Sequence, residues 1–250
     1  MPQFGFFFDQ SRCDGCSACV VSCKDWNDLS PGSIKYARLY QWETGTWPTP
    51  RLRILFAPCY HCENPVCVDA ADGAMFKEEK YGAVLIDPDK ANSPALRKAW
   101  IACPYGAVTF ESDAPDAKAG MCNMCIDRLE QGMKPICVMA CVQRALDFDT
   151  LENLQKKYGT LRDLEGMPSS AEVKPSVVFK AALPKKQLVP YDANKALQIN
   201  ATRPAGSGPP LYASPSDVTD IPEGLITRNT LVMKAKNAAE FMHYTRDNES

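Results

Sequence analysis

Histidine is almost missing from this chain. Only His61 and His243 occur among 250 residues, which removes the common His-containing zinc and copper ligand sets. An excess of one charge is missing too. Lys and Arg number 28 against 30 Asp and Glu, a formal net charge of −2, so neither nucleic acid nor an anionic membrane surface is an expected partner. No window approaches the roughly 18 consecutive apolar residues of a membrane span. The apolar start, Met1 to Phe8, lacks the basic flank and small-residue cleavage site of a secretory signal, and a cytoplasmic location is the expectation. No acid/base or nucleophile constellation stands out: Asp127, Arg128 and Glu130 read as a charged helix face. The chain is therefore not expected to be an enzyme on its own.

What is abundant is cysteine. All 12 lie between Cys13 and Cys141. A disulfide-stapled secreted domain would be short and would carry a signal, and neither holds here. The first block, Cys13-x2-Cys16-x2-Cys19-x3-Cys23, has the run of four thiols found in ferredoxins, whose first three bind one [4Fe–4S] cubane while the fourth ligates another. Zinc ribbons instead use paired C-x2-C units. The second block is Cys59-x2-Cys62-x4-Cys67, followed much later by Cys103. The third is Cys122-x2-Cys125, then Cys137-x3-Cys141. Alone, Cys122-x2-Cys125 suits zinc equally well. Beside the first block it gains weight, because Cys23 otherwise has no cluster to ligate.

Short apolar strands bracket these blocks. Phe6 to Asp9 and Val84 to Asp87 precede cysteine segments, while Gly106 to Phe110 and Arg144 to Phe148 follow them. This repeat resembles the plan of a two-cluster ferredoxin. A helix from Leu151 to about Leu164 and a strand at Ser176 to Phe179 follow. Residues 181–224, rich in Pro, Ala and Ser, look extended, and helical spacing returns from Thr230 to Tyr244.

The blocks resemble the iron–sulfur subunits of the molybdenum and tungsten bis-pterin oxidoreductases, the dimethyl sulfoxide reductase family. The resemblance covers residues 4 to about 180. Its carriers are Arg12-Cys13-x-Gly15-Cys16, Cys59-x-His61-Cys62-Glu63-x-Pro65-x-Cys67, Ala102-Cys103-Pro104-Tyr105-Gly106, Cys122-x2-Cys125-x-Asp127-Arg128-Leu129, Pro135-x-Cys137 and Arg144-Ala145-Leu146. It implies an α+β fold of two ferredoxin-like double-cluster modules, one with a lost cluster, and an extended C-terminal tail. One module would join 1–53 with 111–150, the other would be 54–110, and 151–180 would close the core. Residues 181–250 would form a partner-docking tail.

The ferredoxin cross-over rule, carried onto these positions, gives three ligand quartets: Cys13, Cys16, Cys19 with Cys141; Cys23 with Cys122, Cys125 and Cys137; and Cys59, Cys62, Cys67 with Cys103. Iron of three [4Fe–4S] clusters would be held by these twelve thiols. The family usually carries sixteen cysteines. Counting back from Cys103, its remaining ligands would fall at Ala99, Leu96 and Ser93, with a partner at or beside Ala71. All four are absent together, so a cavity refilled by packing is expected, with Leu96, Ala99 and Trp100 as fillers. In the family's membrane-bound enzymes that site lies nearest the membrane anchor. The small subunit of pyrogallol transhydroxylase, which this chain resembles in that respect, lacks it too.

The implied role is electron relay to or from a large molybdenum or tungsten bis-pterin subunit, in a heterodimer or higher complex. Co-export with a signal-bearing partner is the alternative to a cytoplasmic home. Other readings are an electron-transfer subunit of a tungsten aldehyde-oxidoreductase-type enzyme, a free-standing ferredoxin-like carrier, and a zinc-binding scaffold. Lys24, Lys134 and Arg128 flank ligand cysteines and are candidates for tuning potential. For His61, hydrogen bonding within its loop is the leading expectation.

Overall fold

The computed structural model describes residues 2–46 and 50–182 and, beyond them, only Asn194, Lys195, Gln198 and Thr202. The chain divides after Lys185, and the description below concerns the first unit. The expected Pro-rich stretch and the helical segment from Thr230 to Tyr244 lie outside the described residues.

Strand β1 (Phe4–Asp9) is the organising element. It lies between β8 (Leu146–Thr150), with which it runs antiparallel, and β9 (Val177–Lys180), with which it runs parallel. Because side chains alternate along a strand, Phe6 and Phe8 point into the main core while Phe7 points the other way. Phe7 stacks on Tyr158 of helix α6 (Leu151–Tyr158) with ring centroids 3.6 Å apart. There Leu151, Leu154 and Val178 complete a small second core. Thr150 caps α6, its Oγ1 accepting from the Asn153 N–H, and Gly159 at φ 98° ends it. Gly5 is required at its position: a Cβ there would collide with the Ser176 carbonyl, which accepts from the Phe6 N–H at 3.0 Å.

The expected strands are present, though some are short. β5 (Val84–Ile86) pairs with β4 (Met75–Lys77), and β6 (Thr109–Phe110) with β7 (Ala119–Gly120). The closing helix stops at Tyr158; Leu161 is exposed, and Leu164 is buried outside the helix. One element was not anticipated. Residues Ala37–Thr44 (β2) and Arg51–Pro58 (β3) form the longest hairpin. It delivers Phe56 and Ala57 to the core, immediately before Cys59. The mixture of small sheets and short helices is an α+β fold.

The other helices carry or flank the cysteines. They are α1 (Ala18–Trp26), α2 (Val66–Ala70), α3 (Ala95–Ala102), α4 (Ile126–Leu129) and α5 (Ile136–Met139). α1 packs on α5, and α2 packs on α3. No helix among the described residues is long and apolar enough to cross a membrane.

Candidate metal centres

Three of the four C-x2-C loops, those opened by Cys13, Cys59 and Cys122, are built around a left-handed residue two positions after the first cysteine; in Cys16-x2-Cys19 it is Ser17, one position after, at φ 62°. Gly15, His61 and Met124 have φ of 80°, 45° and 58°. This conformation turns the residue's N–H back onto the preceding sulfur. Gly15 donates to Cys13, His61 to Cys59 at 3.3 Å, and Met124 to Cys122. Left-handed backbone is uncommon for non-glycine residues and marks a functional constraint. Here the constraint is an N–H aimed at sulfur. Ala145 likewise donates to Cys141 Sγ at 3.2 Å, after Arg144 at φ 51°.

Four-residue spacing places cysteines one helical turn apart, on one face. Cys19 and Cys23 are so related on α1, and Cys137 and Cys141 on α5 and the turn after it. With α1 against α5, the thiols face each other across the helix pair. Cys19 interacts electrostatically with Cys13, Cys141 and Cys16. Cys137 interacts with Cys122, Cys125 and Cys23. Cys62 interacts with Cys103 and Cys67, and Cys59 with Cys62 and Cys103. Two contacts join these sets. Cys137 also feels Cys19, and Cys122 accepts a hydrogen bond from the Cys59 backbone N–H.

Burial, and then mutual repulsion, push these thiols up. Cys19, Cys23 and Cys62 rise to about 12 and Cys67 to about 11, and burial also pushes Cys59, Cys122 and Cys137 well above an ordinary thiol. Such groups ionise only beside a strong cation, as metal-bound thiolates do. Cys13, Cys16, Cys19 and Cys141 line one apolar cavity with Phe8 and Phe56. Among the described residues, no three His, Cys, Asp or Glu side chains gather tightly enough for a single metal ion. A mononuclear zinc site would need four sulfurs about 2.3 Å from one centre. Thiols spread around apolar space, with N–H groups on sulfur, fit a larger inorganic cluster.

The second helix pair repeats the geometry without the chemistry. Cys67 on α2 is followed four residues later by Ala71, and Ala99 on α3 is followed four residues later by Cys103. Ala71, Leu96 and Ala99 are all 0% exposed and share the main core. Trp100, expected among the fillers, is 46% exposed instead. It is one residue past Ala99, about 100° round the helix, and so faces outward.

The candidate tuning cations differ in fate. Lys24 donates to the Ser30 carbonyl, and Lys134 pairs with Asp147. Arg128 is buried over the Trp26 ring, 4.4 Å from its centroid, and acts on Cys125. His61 is fully buried. Its backbone hydrogen bonds within the loop, and its Nδ1 accepts from the Val84 N–H at 3.0 Å. Burial holds its imidazole down to about 3, so the ring is neutral with its proton on Nε2.

Residues 51–151 match the family model described as a 4Fe-4S dicluster domain. One polypeptide of the anaerobic dimethyl sulfoxide reductase of Escherichia coli (strain K12) is 38% identical over 189 residues, spanning 71% of this chain and 88% of that protein. The corresponding polypeptide of Haemophilus influenzae is 35% identical over 189 residues, spanning 72% and 90%. One subunit of the sulfite dehydrogenase of Allochromatium vinosum is 36% identical over 169 residues, spanning 59% of this chain and 69% of that protein. This protein belongs to the family of iron–sulfur subunits of the molybdopterin oxidoreductases. As an iron–sulfur subunit of this family it is an electron-transfer component and not a catalyst. The candidate ligands extend beyond the matched domain at its N-terminal side, where Cys13 to Cys23 supply four of the twelve thiols.

Proposed function

We propose that this subunit holds three [4Fe–4S] clusters and relays electrons to or from a large molybdenum or tungsten bis-pterin subunit. The carrying observation is the grouping of the thiols. Cys13, Cys16, Cys19 and Cys141 interact as one set, Cys23, Cys122, Cys125 and Cys137 as a second, and Cys59, Cys62, Cys67 and Cys103 as a third. Each cubane, when bound, takes up and gives back one electron.

The chain's own residues perform the rest. N–H groups of Gly15, His61, Met124 and Ala145 stabilise negative sulfur, an effect that favours the reduced state. Phe6, Phe8 and Phe56 exclude water around the buried thiols, and low dielectric enlarges each charge effect. The sets are ordered by contact: Cys19 beside Cys137, then Cys122 beside Cys59. Packing of Ala71, Leu96 and Ala99 supports a chain without a fourth cluster. The two helix pairs support two ferredoxin-like modules in which only one keeps both sites.

Iron and acid-labile sulfide of anaerobically purified protein test this reading, with native mass spectrometry of the intact complex. About twelve irons per chain and a co-purifying pterin subunit are expected. Zinc in place of iron, or about sixteen irons, would sink it.

A further inference from the structure

Among the described residues, only two side-chain atoms are buried without a hydrogen-bond partner, His61 Nε2 and Tyr105 Oη. Leaving a donor unsatisfied in the interior costs about 1–3 kcal/mol, so each orphan calls for an explanation. Their places in the sequence coincide. His61 stands between Cys59 and Cys62, and Tyr105 stands two residues after Cys103. Both therefore flank one and the same cysteine set, and no other.

Both side chains are held in place by neighbours that use up everything but the orphaned atom. The Val84 N–H occupies His61 Nδ1, and the His61 carbonyl accepts from Ser176 Oγ and from Gln3 Nε2. Nε2–H is what remains. The Tyr105 ring packs edge-on against Tyr60, centroids 5.0 Å apart, and its carbonyl accepts from Arg38. Its hydroxyl is buried with no acceptor among the described residues.

We propose that His61 Nε2–H and Tyr105 Oη–H donate to sulfur of the cluster held by Cys59, Cys62, Cys67 and Cys103, and that these two bonds hold that cluster's reduction potential up. The inference rests on the three-cluster reading above. Donors aimed at sulfur stabilise the state with one more electron. Neither residue is a ligand, and both are positioning and tuning groups. Among the described residues, the other two sets have a single side-chain donor of this kind, Asn27 Nδ2 to Cys23 Sγ at 3.8 Å.

Redox titration followed by EPR on the full chain tests the hydroxyl. Tyr105→Phe deletes one oxygen and keeps the ring. Its cluster should become harder to reduce by about tenfold in the oxidised-to-reduced ratio, or about 59 mV for one electron, with the other two midpoints unmoved. Three unmoved midpoints with wild-type iron content would overturn the role of Tyr105. His61 is tested without any substitution, by pulsed EPR of protein carrying histidine labelled with 15N in the imidazole ring alone, because the His61 backbone N–H already donates to Cys59 sulfur. A 15N coupling is expected on the cluster whose signal Cys67→Ser alters, and its absence overturns the role of His61. An iron count of the unaltered protein far from about twelve would fault the three-cluster reading instead, whatever Tyr105 does.

Discussion

The backbone N–H of Cys59 donates a hydrogen bond to the sulfur of Cys122. These two cysteines are 63 positions apart in the sequence, and each opens its own C-x2-C loop. The bond makes the two loops neighbours and puts the set containing Cys122 in the middle, with Cys19 and Cys137 forming the junction on the other side.

That order predicts an asymmetric response to losing ligands. On the proposed three-cluster reading, Cys125→Ala should remove the middle cluster and leave about eight irons per chain. In the fully reduced protein, magnetic splitting in the EPR spectrum is expected from neighbouring clusters, and it should disappear in this variant. Splitting that survives loss of the middle cluster would contradict the order.

The fourth site of the family predicts a cost in stability. Leu96 is fully buried on α3, the helix that packs on α2, at a position where the family's pattern would place a cysteine. If packing has replaced a cluster, Leu96→Ala should destabilise as any deep core truncation does, by about 2–5 kcal/mol. Iron content should stay unchanged. The temperature at which visible cluster absorbance is lost measures the effect; a shift no larger than that of an exposed substitution such as Ile101→Ala would argue against a packed replacement.

The cysteine loops were legible in the residue pattern because the spacing within each block is local in sequence. C-x2-C spacing is set by the reach of one loop, and Cys19 to Cys23 by one helical turn. The strand at Phe6 to Asp9 was legible because all three phenylalanines are buried, on opposite faces. The β2–β3 hairpin was not, since it holds no cysteine and its alternation is weak: Tyr40 on β2 is exposed, and so is Leu52 on the same strand as Phe56. Trp100 was misplaced for a different reason. A large apolar residue beside two buried ones reads as core until its angle round α3 is fixed. The left-handed His61 and Met124 carried no sequence signal, because neither is the glycine that such backbone favours.

Asp147 predicts a pH dependence. It accepts from Lys134 at 2.5 Å, Tyr158 at 2.7 Å and Lys157 at 3.1 Å. Burial alone would raise its carboxyl, but those partners outweigh it and hold the acid well below the usual carboxylate range. A depressed folded pKa contributes stability that is present above the unfolded value, near 3.9, and is lost as pH falls toward the folded one. Asp147→Asn should therefore lower thermal stability at pH 7 by about 1–2 kcal/mol, allowing for screening of the exposed lysines. The difference from the unaltered protein should shrink as pH drops below about 4. A gap that is constant with pH would place the effect in packing rather than charge.

The surface around the first cysteine set predicts where the partner bears. Cys16 is exposed, so this set comes closest to solvent. Val142, immediately after Cys141, is 67% exposed, and Val21 on α1 and Met139 on α5, helices that pack on each other, are exposed too. Exposed apolar side chains around a packed helix pair that carries ligand cysteines suit an interface through which electrons pass over a short distance. Val142→Glu should leave iron content and the three midpoints as they are, because the side chain already faces water. It should weaken assembly with the pterin subunit by tenfold or more, about the cost of burying an unpaired charge at an interface centre. Co-purification yield and the rate at which the partner reduces or oxidises the clusters measure it. Full complex yield with an unchanged transfer rate would move the docking face elsewhere on the subunit.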